Sequence, residues 1–192
     1  MLPDLLLPAG VLLWALTHLS ISVTPGVRES LITGMGENLY KGLFSLVLVG
    51  AIVLMVMGWK DSSPVLLYAL PAGVKLVTMA LMWVALILFI CARAPNDFKR
   101  ILRHPQLTAV IVWAFAHLLS NGDSRSLFLF GGLGLWAILE IIFINRREGV
   151  WQKSEPVGVV RNLITVVIGT VLFLVVAYAH PWLAGIAIVP AH

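Results

Sequence analysis

The chain has 192 residues, of which 60% are hydrophobic and 11% charged, with a mean hydropathy of +0.98. Such a composition excludes a soluble globular domain and describes an integral membrane protein. The formal charge of +4 does not point to nucleic acid, because the basic residues cluster beside apolar segments and form no stripe with interleaved aromatics. The single cysteine, Cys91, excludes an internal disulfide and any Cys-x-x-Cys site.

The start, Met1-Leu2-Pro3-Asp4, lacks the basic stretch of a secretory signal, and no small-x-small cleavage site follows, so the first apolar run is expected to stay as a span. A helix needs about 20 apolar residues to cross a bilayer core, and about 17 is a practical lower limit. Six stretches meet that requirement: Leu5–Val23, Lys41–Trp59, Val74–Ala92, Pro105–Asn121, Ser126–Ile144 and Arg161–Ala179, the last able to run on through Trp182 to Val189. The expected fold is an all-α six-helix membrane bundle forming one polytopic domain over residues 1–192. Pro64 to Pro71 is apolar but short and bracketed by prolines, so it reads as a loop or interfacial piece. Lys75 then opens the third span, where its stem can snorkel.

The connections after spans one, three and five, with their helix ends, carry Arg28, Lys41, Arg93, Lys99, Arg100, Arg103, Arg146, Arg147, Lys153 and Arg161. The opposite side has only Lys60, Lys75 and Arg125. The positive-inside rule therefore predicts that the basic connections are cytoplasmic and both termini outside.

Span one contains Trp14-Ala15-Leu16-Thr17-His18-Leu19 and span four Trp113-Ala114-Phe115-Ala116-His117-Leu118. The shared Trp-Ala-x-x-His-Leu lies on spans of opposite direction, as an inverted three-plus-three repeat would require; chance in an apolar background accounts for it equally simply.

Ionisable side chains in hydrocarbon are costly and point to function. With about 1.5 Å of rise per residue, His18 lies roughly 8 Å from the cytoplasmic end of span one. His104 marks the cytoplasmic start of span four, so these two can share a depth. His117 lies about 18 Å further up span four, level with His180 at the end of span six. Two imidazoles at equal depth across a bundle are suited to the axial positions of a haem. Zinc would need further ligands that the carboxylates are poorly placed to supply. Glu140 is the one clearly intramembrane acid, near the inner end of span five, where Arg146, Arg147 or Arg103 could neutralise it.

Each candidate also has a plainer reading. His180 and His192 sit at or beyond a membrane edge, where histidine is common and usually idle. His117, on one helical face with Gln106 and Trp113, could simply hydrogen-bond across helices. His104 precedes a proline and could cap the helix, although Arg103-His104-Pro105 suits capping alone poorly. His18 has only Thr17 and Ser20 as polar neighbours, which favours a ligand role. Asn121-Gly122-Asp123 is turn chemistry. Trp59, Trp151 and Trp182 fit an interfacial belt, Trp14 and Trp113 lie deeper and could wall a pocket, and Gly131, Gly132 and Gly134 allow close helix packing.

Arg103-His104-Pro105-Gln106, then Trp113, Ala116-His117-Leu118-Leu119, Asn121-Gly122-Asp123, Leu129-Phe130-Gly131-Gly132 and Trp136, resembles the signature stretch of the NnrU family of membrane proteins. The resemblance extends upstream through Gly36-Glu37, Tyr40 and His18. It implies a bacterial cytoplasmic-membrane protein linked to nitrite and nitric oxide metabolism, or a haem isomerase like the cis-zeta-carotene isomerase of the same family. By that resemblance His18 and His104 would ligate haem b, while Trp14, Arg103, Gln106, Trp113 and His117 would shape the pocket or support the ligands. The partners implied are membrane lipid, a hydrophobic polyene substrate and a respiratory or electron-donating protein. The chain departs from the plant isomerases where they carry a cysteine shortly before the His-Pro motif: Ile101 and Leu102 stand there, and Cys91 is distant. Family membership leaves the substrate open.

Arg-His-Pro at the start of a span also resembles membrane methyltransferases that use S-adenosylmethionine. Leu107 and Ala109 stand where those enzymes have tyrosine and glycine, and Glu140 and Glu148 are eight residues apart, which weakens that reading. A third class is a non-catalytic haem or nitric-oxide responder supporting a respiratory reductase.

Overall fold

The computed structural model describes residues 2–188, so Val189 and His192 lie outside the described residues; the last apolar helix runs on through Trp182 and ends at Ala184, short of the expected extension. It is all-helical. The elements are α1 (Leu2–Val23), α2 (Pro25–Met35), α3 (Glu37–Asp61), α4 (Val74–Arg93), α5 (Pro105–Ser120), α6 (Ser124–Glu148) and α7 (Val159–Ala184), with a short 3-10 turn at Asp97–Arg100. Five of them, α1, α3, α4, α6 and α7, are long and apolar enough to cross a membrane. The sixth apolar helix, α5, has 16 residues, or about 24 Å of rise. Their large apolar side chains mostly face outward, as at Leu46 (67% exposed) and Leu174 (59%). A surface of that kind is stable only against lipid.

One connection is more ordered than its composition suggests. Residues 25–35, expected as part of a loop, form α2. Pro25 occupies its first turn, where a missing N–H costs nothing, and Gly36 ends it with φ 87°. None of its residues is buried. Too short and too polar to register as a span, it lies outside the bundle, with the Arg28 guanidinium 5.7 Å from the Tyr40 ring centre.

The apolar helices pack in the spatial order α3, α1, α6, α5, α4, α7, with α6 central between α1 and α5. Small residues permit the close approaches. A Cβ on Gly58 of α3 would stand 2.2 Å from the Leu7 nitrogen, and one on Gly132 of α6 would stand 2.5 Å from Val11 Cγ1. Gly134 also abuts α5, whereas a Cβ on Gly131 would meet only the Leu127 side chain at ordinary contact distance. Around Gly131, at Leu127–Gly131, α6 opens into one π-helical turn, a feature that recurs at functional sites. A three-plus-three repeat would pair α3 with α6. The packing does not set those two in equivalent places, since α3 lies at the edge against α1 and α6 at the centre.

The Pro64–Pro71 segment is an extended loop fastened across the α5–α6 turn. Leu67 and Tyr68 donate their backbone N–H groups to the Gly122 carbonyl, and Ser124 donates to that of Val65. Tyr68 Oη donates to the Leu118 carbonyl at 2.5 Å. A Cβ at position 122 would lie 1.9 Å from the Tyr68 oxygen, so the Asn-Gly-Asp sequence is shaped by the strand of loop lying on it as well as by its own turn. Asp123 completes the turn by accepting from the backbone and hydroxyl of Ser126.

At the end rich in basic residues, Asp97 ties the α4–α5 connection to the start of α7. Its carboxylate accepts from the N–H groups of Val157 and Gly158 and from Asn162 Nδ2, while its own N–H donates to Asn162 Oδ1. Those donors, led by Val157 and then Asn162, hold the Asp97 carboxyl below its ordinary pKa, with Arg100 adding a smaller effect and burial opposing it.

Candidate functional site

A cavity of about 750 Å³ opens at the basic end between α1, α5, α6 and the connections before α5 and after α6. Within it come together Trp14, His18, Arg103, His104 and Gln106, which the sequence singles out, and Trp136 and Glu140 from α6. Trp113 and His117 do not line it. Its volume lies within the range of cofactor and substrate sites.

His18 is held by its own helix and by rings. Its Nδ1 donates to the Trp14 carbonyl at 3.0 Å; a carbonyl can only accept, so the neutral ring keeps its lone pair on Nε2. Rings from three helices surround it: Trp14 at 4.4 Å, Trp136 at 5.0 Å and Phe44 at 5.8 Å between centroids. A backbone carbonyl on one nitrogen is the usual orienting partner for an imidazole that ligates through the other. His104 is arranged differently. Its Nε2 donates to Asn145 Oδ1 at 2.8 Å, leaving Nδ1. As cap residue of α5 it makes no side-chain cap bond, so helix capping does not explain it.

Arg103 donates to Glu148 Oε2 at 3.1 Å and to the Gly149 carbonyl at 2.8 Å. Arg147 also reaches Glu148, and donates to the Ile21 carbonyl. Neither neutralises Glu140, contrary to the expectation from sequence. Glu140 is 7% exposed and its Oε1 accepts from Ser22 Oγ at 2.5 Å. The arginines follow Glu140 by about two turns and reach the end of the helix instead. Glu140 Oε2, Trp14 Nε1 and Trp136 Nε1 are all buried without a hydrogen-bond partner. All three residues line this cavity. Buried polar atoms are rarely left so, and three around one space mark it as a place for a polar or ligating guest.

Sequence reasoning missed Trp136 and Ser22 as parts of this site and set Trp151 in the interfacial belt, whereas it lines the cavity. Tryptophan at a membrane edge gives no sign of whether it faces lipid or protein. Ser22 is 118 residues from its partner, and nothing local announces it.

His117 belongs to a second cavity, of about 510 Å³, at the opposite end of the bundle, together with His180, Lys75 and Tyr68. Its Nδ1 donates to the Trp113 carbonyl at 2.9 Å, and its ring stacks on Phe130 at 4.5 Å and tilts against Trp113 at 5.1 Å. The Trp-x-x-x-His unit is thus built twice in the same way, once on α1 and once on α5. Trp113 lines neither cavity; it backs His117 and meets Phe130 at 4.9 Å. Among the described residues no group of three or more His, Cys, Asp or Glu could hold a metal ion.

No curated protein and no solved structure matches the chain. The family model described as NnrU protein matches residues 6–188, nearly the whole length. That extent takes in both Trp-His units, the Arg-His-Pro-Gln sequence and every apolar helix, and the chain therefore belongs to the NnrU family.

Proposed function

We propose that this NnrU protein binds haem b in the cavity at the basic end, where His18 and His104 would hold it, and acts on a hydrophobic polyene as a cis-trans isomerase. The observation that carries the reading is one cavity lined by both histidines and by Trp14, Trp136 and Glu140, each of which has a buried polar atom without a partner. The donor set fits the group. His18 offers Nε2 from a ring already oriented, and Lys99 and Arg103, both lining the cavity, suit the two propionate carboxylates. His104 would ligate through Nδ1, or through Nε2 once Asn145 lets go.

When bound, the haem would supply the redox-neutral activation of a double bond that the family resemblance implies. The protein's own contribution is to hold and enclose. His18 and His104 would hold the group between helices, the indoles of Trp14 and Trp136 would wall it from water, and Glu140 would keep a hydrogen-bonding oxygen within the apolar interior. In this reading all six apolar helices span the bacterial cytoplasmic membrane, the basic end is cytoplasmic and both termini are outside. The twice-built Trp-His unit supports an inverted repeat at the level of these two helices.

Visible spectra of the full-length protein in mild detergent test the proposal. Reduction should give the sharp bands of low-spin bis-imidazole haem, lost in His18→Ala and His104→Ala and kept in His192→Ala. Colourless protein that takes up no added haemin would sink it, and S-adenosylmethionine binding by calorimetry would then establish the methyltransferase reading. With haem present, conversion of a cis-carotene under reducing conditions is expected; its absence would leave an accessory role in nitrite or nitric oxide metabolism, coupled to a respiratory or electron-donating partner.

A further inference from the structure

The cavity at the end opposite the basic one has a shape and polarity of its own. On α4, Lys75, Met79, Met82 and Leu86 line it, and on α7 Phe173, Val176, Ala177 and His180 do so. Both sets follow the three-and-four spacing of one helix face. The cavity is therefore a slot running along the helix axes, for roughly 16 Å from Lys75 to Leu86. Its deep part is apolar. Its mouth gathers the polar groups, with Lys75 at the start of α4, Ser120 and Asn121 at the end of α5, and His180 near the end of α7. The Pro64–Pro71 loop, pinned to Gly122, forms one rim.

The charge at that mouth has one sign. Among the described residues no Asp or Glu lines the slot, and none lies within ion-pair distance of Lys75. Lys75 is also in an unfavourable place on its helix. It is the second residue of α4, whose first turn holds no acid, so an ammonium sits at the positive end of the helix dipole. An anion at the mouth would relieve both. The positive charge at the mouth is that of Lys75: His117 and His180 each donate Nδ1 to a backbone carbonyl, of Trp113 and Ile186, so each neutral ring keeps a lone pair on Nε2 and accepts rather than donates. Beyond His180 the chain turns at Gly185, with φ 73°, and Ile186 to Ile188 line the same slot.

We infer that this slot binds a single-chain anionic amphiphile, a long-chain carboxylate, with its tail between α4 and α7 and its head on Lys75. A chain lying along the helix axes is parallel to the surrounding lipid and can enter between helices without crossing a polar layer. The site is separate from the cavity at the basic end and stands whether or not that cavity holds haem.

The test uses the full-length protein, delipidated in mild detergent, with palmitate and hexadecanol as matched probes. Palmitate should bind saturably at one site per chain, and hexadecanol about ten-fold more weakly, the value of one charge-assisted contact. Lys75→Gln, an exposed change at a helix start, should bring palmitate down to the level of hexadecanol and leave hexadecanol unchanged. Met82→Trp should block both probes by filling the slot, with thermal stability and visible spectrum as checks that the bundle is intact. Equal binding of the two probes, no saturable palmitate binding, or palmitate binding indifferent to Lys75→Gln would each overturn the inference. A normal haem spectrum alongside failed palmitate binding would discard this site and leave the proposed function standing.

Discussion

His18 and His117 each turn Nδ1 to the carbonyl of a tryptophan four residues earlier, and each meets an aromatic ring from α6, Trp136 in one case and Phe130 in the other. Their surroundings differ. His18 faces a cavity ringed by partnerless indole nitrogens and a carboxylate, with two basic side chains at its mouth. His117 lines a slot without acids, walled by methionine and apolar side chains and capped by a fastened loop. The lesson is that a local motif fixes how an imidazole is held, whereas the chemistry open to it is set by what distant segments bring opposite.

The comparison is broken most directly at the histidines. His18→Ala should abolish the visible spectrum, whereas His117→Ala and His180→Ala should keep it; the reverse pattern would move the haem site to the far end. Next in size is Gly122→Ala, because a methyl 1.9 Å from the Tyr68 oxygen must displace the loop. A loss of about 1–3 kcal/mol is expected from such overpacking, read as a lower unfolding temperature, with weakened palmitate binding and an unchanged spectrum.

At the basic end, Ser22→Ala takes the hydroxyl from Glu140 and should cost about 1–3 kcal/mol for the buried acceptor it leaves; full stability in that variant would mean that water or a guest already satisfies the acid. Asp97 adds a pH signature to the same end. Its folded pKa is lowered, so its stabilising effect is complete above the ordinary carboxylate value and is lost as pH falls through the lower folded one. Acid melts of the wild type should show that loss below about pH 4, and Asp97→Asn should flatten it. The smallest effect is expected between α4 and α7, where Trp83 Nε1 donates to Thr170 Oγ1 at 2.9 Å. Trp83→Phe should cost about 0.6 kcal/mol, typical of a hydrogen bond between membrane helices.

Much of the scaffold was legible because long apolar runs with basic ends have few ways to be satisfied. Rise per residue also assigned His18 and His104 to one end and His117 and His180 to the other, and each pair lines one cavity. What stayed hidden depends on distant contacts. Glu140 has three arginines expected at its end of the bundle and none as a partner, because helix geometry carries Arg146 and Arg147 past it and Arg103 pairs with Glu148. The loop on Gly122 is specified by residues fifty or more positions apart. Residues 25–35 fold as a helix with no buried face, so their periodicity had nothing apolar to display.

The π turn at Leu127–Gly131 lies between the two halves of this comparison. An α-helix rotates about 100° per residue, and a π turn spreads one revolution over more residues, so it sets the phase of everything after it. Phe130 lies within that turn and Trp136 and Glu140 beyond it. α6 is thus a shaft with a phase shift cut into it, facing His117 at the shift and His18 after it. Deleting one residue there would restore a regular helix and keep the phase of the later part, whereas winding the same residues as regular α-helix would rotate that part by about 100°. Trp136 and Glu140 would then swing away from His18 and Ser22, and the basic-end cavity would lose its wall while the Asp123 turn stayed where it is.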